Sequence, residues 1–238
     1  SRISAAMKFA ATGRLSASAF EGAMQNRRLI AWKATQENIN SLLASGGDLL
    51  RARARQIVRS NPYASNAADS FVANAVGAGI VPSSLLTDTA LKDELQRVWL
   101  AWTDEADADD LTDFYGLQAM AARAMFEAGE CFVRFRPRRP EDGLTVPLQL
   151  QLLESEHLPF EKNEIGTNGN QIRCGIEFDK IGRRVAYHFY RKHPGDATDQ
   201  SSKGEIVRVP ASEVLHIYRP QRPGQIRGVP WISPALVK

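Results

Sequence analysis

The chain has 238 residues, 43% of them hydrophobic and 24% charged, with a net charge of +3. That is the balance of a globular protein with room for one large domain or two small ones around a proper core. The longest apolar stretch, FVANAVGAGIVP, is short and interrupted by Asn74, which argues against a membrane span. Cys131 and Cys174 lack a CxxC partner or a histidine at zinc spacing, the pattern of two reduced, buried thiols.

Charge is distributed in blocks. Residues 1–59 hold ten Lys/Arg against three Asp/Glu, and residues 88–113 hold nine acids against two bases. Residues 134–139, RFRPRR, are basic again. Opposite blocks in one chain suit complementary flanks of neighbouring subunits or a basic arm for nucleic acid. The first 20 residues carry Arg2, Lys8 and Arg14 and no acid. This resembles a transit peptide, but an Ala/Ser-rich arm over residues 1–47 accounts for it better.

In chain order, residues 22–44 are compatible with helix, and Ser45-Gly46-Gly47 should break it. Asp48 then caps a new helix, LLRARARQIVRS. At 100° per residue Leu50, Ala54 and Ile57 form its apolar stripe, while Arg51, Arg55 and Arg59 share another face. Asn61 as N-cap and Pro62 at the first helical position start the next helix, which should end at Gly77. Gly77-Ala78-Gly79 follows a helix and opens none, so it reads as a C-cap and turn, not a phosphate loop. Leu91, Leu95, Val98, Trp99 and Trp102 recur at helical spacing and predict a core-facing stripe. The acidic run 104–110 lacks the glycine and terminal Glu of a calcium loop. Asp113 caps a fourth helix ending at Gly129.

From Glu130 the period changes to two. CFVRFRP and PLQLQLL alternate, and IRCGIEFD and RVAYHFY flank a turn at KIGR. EIVRVP and VLHIY supply two more strands, and a helix start is expected at Ser233. Helices over 48–129 followed by about six short strands over 130–218 predict an α+β fold with a mainly antiparallel sheet.

Catalytic signals are thin. The four histidines, His157, His188, His193 and His216, form no paired-ligand spacing, and no serine sits in a GxSxG elbow. The best enzymatic reading is a magnesium nuclease built from Glu154, Glu177, Asp179 and Lys180. Asp179 more naturally opens the hairpin turn. No cofactor or metal is expected, and the chain does not read as an enzyme. A nucleic-acid-binding module using Arg51, Arg55, Arg59 and RFRPRR is the other alternative.

Six blocks in order resemble the lambda-like portal proteins of tailed bacteriophages. They are residues 50–82, Trp99 and Trp102 with the acidic stretch, AARAMFEAGECFVRF, LQLLESEHL, GIEFDKIGRRVAYHFY and EVLHIYRPQRPGQIRGVPW. The residues carrying the likeness include Asn61, Pro62, Gly77, Gly79, Gly129, Glu130, Gln225, Arg227 and Gly228. The resemblance implies a subunit of a ring, typically of twelve copies, at one capsid vertex in the virion, assembled in the host cytoplasm. The ring passes double-stranded DNA nonspecifically during packaging and ejection, and it docks the large terminase subunit, the capsid and the tail connector. It further implies that residues 48–238 are the wing or body region of a longer polypeptide, with 225–238 leading toward the stem. Since a ring needs heterologous contacts, Arg51, Arg55 and Arg59 on one flank and Asp107, Asp109 and Asp110 on the other are the candidate subunit-interface residues.

Overall fold

The computed structural model describes residues 27, 35–198, 201 and 204–236. Residues from Asn38 onward form one compact unit, with most of the preceding segment outside the described residues.

Helix α1 spans Ile39–Ser60, capped by Asn38, whose side chain accepts from the Asn40 amide. The break expected at Ser45–Gly47 does not occur, and Asp48 is not a cap; the helix runs through both. Gly47 is buried because a Cβ there would lie 2.6 Å from the Phe160 ring. The glycine is a packing requirement that the helix tolerates. The buried face is Leu43, Gly47, Arg51, Ala54 and Val58, so Arg51 lies on the inner side and not on an exposed basic face.

Helix α2 spans Pro62–Ala75, with Asn61 accepting from the Tyr63 and Ala64 amides as expected from its sequence. It ends where Gly77 adopts φ +59°. Helix α3 covers Thr89–Glu105, but only the C-terminal part of the expected stripe is inside. Trp102 is buried, while Leu91 and Leu95 are exposed. Helix α4, Phe114–Glu127, is capped by Asp113 through the Gly116 amide.

Eight strands follow among the described residues, in two antiparallel sheets instead of one. The first sheet has the order β2-β1-β8, from β1 Glu130–Pro137, β2 Leu148–Glu154 and β8 Val214–Tyr218. The second runs β3-β4-β5-β6-β7, from Glu164–Ile165, Gln171–Arg173, Ile176–Phe178, Arg184–Tyr190 and Ile206–Pro210. The hairpin around Gly182 forms as expected. IRCGIEFD, however, is two strands. Cys174 and Gly175 take φ +49° and +79°, the paired left-handed conformation of a two-residue turn, and fold β4 onto β5.

Period two divides β1 between two cores. Phe132 faces the second sheet and packs with Tyr187, Phe189, Leu158 and Phe160. Val133 and Phe135 face α3 and α4 and pack with Trp102, Leu117 and Leu150. A third cluster joins α1 and α2 to Ile232. The helix start expected at Ser233 is a single 3-10 turn, Ser233–Ala235.

Candidate functional site

The most distinctive site is a buried ionic bracket where the two sheets, α1 and the C-terminal segment meet. Its centre is Glu130, fully buried at the start of β1. Glu130 Oε1 accepts from Arg227 Nε at 2.8 Å and from Ser155 Oγ at 2.5 Å. Oε2 accepts from the Gly228 amide at 2.6 Å and from His216 Nε2 at 3.0 Å. Arg227 is equally buried and donates further to the carbonyls of Cys174 at 2.9 Å and Ser155 at 3.2 Å.

The second cation is Arg51, 3% exposed. It donates to Ser155 Oγ and Asp48, and its Nη1 lies 3.8 Å from Glu130. Both guanidiniums stack on Phe160, Arg51 at 4.6 Å from the ring centroid and Arg227 at 4.0 Å. Burial raises the Glu130 pKa, but the Arg227 charge and the His216 hydrogen bond outweigh it and hold the carboxyl far below the usual range. Burial lowers the His216 pKa and keeps the ring neutral. The geometry agrees, since Nε2–H donates to Glu130 while Nδ1 faces Arg184 Nη1 at 3.4 Å.

Backbone packing closes the bracket. Gly129 has φ +86°, and a Cβ on it would sit 2.2 Å from the Val229 carbonyl carbon. A Cβ on Gly228 would meet the Gly129 carbonyl at the same distance, 2.2 Å. The two glycines therefore let β1 and the C-terminal segment cross backbone on backbone. Gln225 braces the crossing by donating to the Arg227 carbonyl at 2.7 Å and accepting from the Gln221 amide at 2.8 Å. Asn40 of α1 donates to the Gly224 carbonyl and accepts from the Ile226 amide, both at 2.9 Å. Gly129, Glu130, Gln225, Arg227 and Gly228 thus form one site, whereas Asn61, Pro62, Gly77 and Gly79 are local helix caps and turns.

The candidate interface residues divide. Arg51 is inside the subunit, because its neighbours Ser155 and Glu130 compensate its desolvation there. Asp107 is buried and serves its own loop, accepting from the amides of Asp109, Leu111 and Thr112. Both are therefore unavailable to a neighbour. Arg59, Asp109 and Asp110 are exposed, and Arg55 is partly so, forking onto Glu154 at 2.8 Å and Glu156 at 3.0 Å.

The carboxylates considered for a nuclease each have other partners. Glu177 is held below the usual range, chiefly by Arg208 at 2.7 Å, and also accepts from Asn168, Asn170 and His188. Asp179 accepts from the Ile181 and Arg183 amides, the turn role expected of it. Glu154, Glu156 and His193 bring ligand atoms within 4.8 Å of one another, but the Arg55 fork already takes both carboxylates. Both thiols are buried, and burial pushes Cys131 up to about 12, which suppresses thiolate chemistry. Among the described residues no helix is long and apolar enough to cross a membrane.

His216, Ser155 and Phe160 were not legible as partners. A faint signal for a buried acid existed in Glu130, which shares a strand face with Phe132 in an otherwise apolar run.

The chain is similar to known proteins over most of its length. The chain is 28% identical over 223 residues to a "Probable portal protein" of Halomonas phage phiHAP-1, covering 89% of this chain and 42% of that protein. It therefore spans well under half the length of this relative. Residues 25–238 match the family described as phage portal protein, lambda family. The chain belongs to the lambda family of phage portal proteins.

Proposed function

We propose that this chain is the wing or body part of a non-catalytic portal subunit. Copies assemble into a ring at the capsid vertex, DNA passes through it nonspecifically, and terminase and the tail connector dock on it. Family membership across residues 25–238 carries the reading. The bracket supports it mechanically, since Glu130 and Arg227 lock the C-terminal segment to the first sheet. The paired carboxylates support a structural role, because each has a cationic or backbone partner in place of a reacting group.

In the ring, Arg55 and Arg59 on one flank and Asp109 and Asp110 on the other are the polar contacts, with the segment before α1 as a basic arm. Exposed pairs of this kind weaken with salt. Electron microscopy of the full-length subunit tests the reading. Rings with a central hole are expected, and monomers or two-fold dimers with no hole would overturn it.

A further inference from the structure

The first sheet has an open edge beside an apolar cavity. Among the described residues β8 pairs only with β1, and beyond that ladder no backbone hydrogen bond reaches Leu215–Tyr218. The opposite edge is different, for Ala106–Ala108 bonds Leu150 of β2. On the helix-facing side of the sheet lies a cavity of about 360 Å³, walled by Leu117, Val133, Phe135, Leu152, Leu215 and Ile217 among others. Leu215, on the open edge, is 51% exposed. An unpaired edge flanked by an apolar recess is the arrangement that accepts an added strand.

The same chain carries a fitting occupant. After α2, residues 80–86 (IVPSSLL) form no helix and belong to no sheet. Ile80 is anchored, its amide donating to Gln118 Oε1 at 2.7 Å and its carbonyl accepting from Gln118 Nε2 at 3.1 Å. Beyond it Val81 is 58% exposed and Leu85 is 97% exposed, so Leu85 does not fill its own subunit's cavity.

We propose that residues 81–85 of one copy add antiparallel to β8 of the next copy, with Val81 and Leu85 entering the apolar recess. The inference rests on the ring reading for the identity of the partner. Val81, Ser83 and Leu85 share one face and one hydrogen-bonding edge of an extended strand. Pro82 then turns its missing N–H toward solvent, where a strand tolerates it. Charge fixes the direction. An antiparallel addition to β8 runs parallel to β1 and carries Asp88, Asp93 and Glu94, against a single Lys92, toward the Arg134–Arg136 end of that strand. There Arg134 Nε is buried without a hydrogen-bond partner, and its nearest carboxylate, Glu213, is 3.8 Å away.

The test is disulfide trapping in the full-length subunit, with Leu85→Cys and Leu215→Cys copies mixed; the native thiols are buried. A crosslinked dimer is expected from the mixture and not from either variant alone, and the doubly substituted chain should give a ladder of covalent oligomers. Ser83→Pro removes an amide aimed at β8 and should lower the crosslink by roughly tenfold, the scale of one hydrogen bond left unmade. Ser84→Pro removes an amide on the edge of the added strand away from β8 and should leave it unchanged. No crosslink, a disulfide closed within one copy, or equal effects of the two prolines would overturn the inference. Rings that form without the crosslink would sink this interface and leave the portal reading standing. Crosslinked open chains with no ring would do the reverse.

Discussion

Glu130→Ala is the sharpest perturbation available, because it removes the anion from a site that keeps its cations. Arg227 and Arg51 would remain buried, at 0% and 3% exposure. The Gly228 amide and the Ser155 hydroxyl would each lose an acceptor. Breaking a buried pair by deleting one partner costs about 3–5 kcal/mol. Two buried cations share this carboxylate, which places the variant at the upper end. Against a total stability of about 5–15 kcal/mol this leaves the fold marginal. For a domain of this size a loss of about 5 kcal/mol lowers Tm by roughly 10–20 °C. Urea unfolding of Glu130→Ala, Arg227→Met and the Glu130→Ala/Arg227→Met double variant measures the effect. The double variant should be far more stable than the two single costs added together, since it leaves fewer unpaired buried charges. A cost below about 1 kcal/mol for Glu130→Ala, or simple additivity in the cycle, would refute the view that these groups are one coupled unit.

Other expectations follow from single positions. Gly46→Ala meets nothing within 4 Å and should stabilise α1 by about 0.5–1 kcal/mol, whereas Gly47→Ala meets Phe160 at 2.6 Å and should destabilise it despite the same propensity gain; thermal melts with the same sign for both would contradict the packing account. Trp102 is buried and donates to the Leu148 carbonyl at 2.7 Å, so Trp102→Ala should cost about 3–5 kcal/mol by chemical denaturation, and wild-type stability would show that the indole is not a core group. Burial lowers the His216 and His157 pKa values, so the unfolded chain binds protons first and stability should fall as pH drops below about 6.5. The depressed Glu130 acts lower, contributing stability above about pH 4.3 that is lost as pH falls toward its folded value. The urea midpoint should therefore decline between pH 7.5 and 5.5, less steeply in His216→Gln, and a midpoint that rises on acidification would be incompatible with a neutral buried ring.

What the sequence determined by itself was local. Asn61-Pro62 and Asp113 start helices because a side-chain oxygen and a preset φ act within three residues of themselves. The change from helical to alternating period at Glu130 was enough for the α+β class, since burial of one face imposes that period directly. The same local logic failed where a distant partner changed the balance. Ser45-Gly46-Gly47 reads as a break, yet Phe160 requires the glycine and packing holds the helix through it. Leu91 and Leu95 fit a core stripe, but among the described residues they stay about half exposed, at 48% and 47%. Arg51 reads as surface until Glu130 and Ser155, far along the chain, are brought against it. The tertiary structure alone decided the bracket, because Glu130 and Arg227 are separated by most of the sheet-forming sequence. Neither charge could stay buried without the other, and only the backbone crossing at Gly129 and Gly228 brings them within hydrogen-bonding distance.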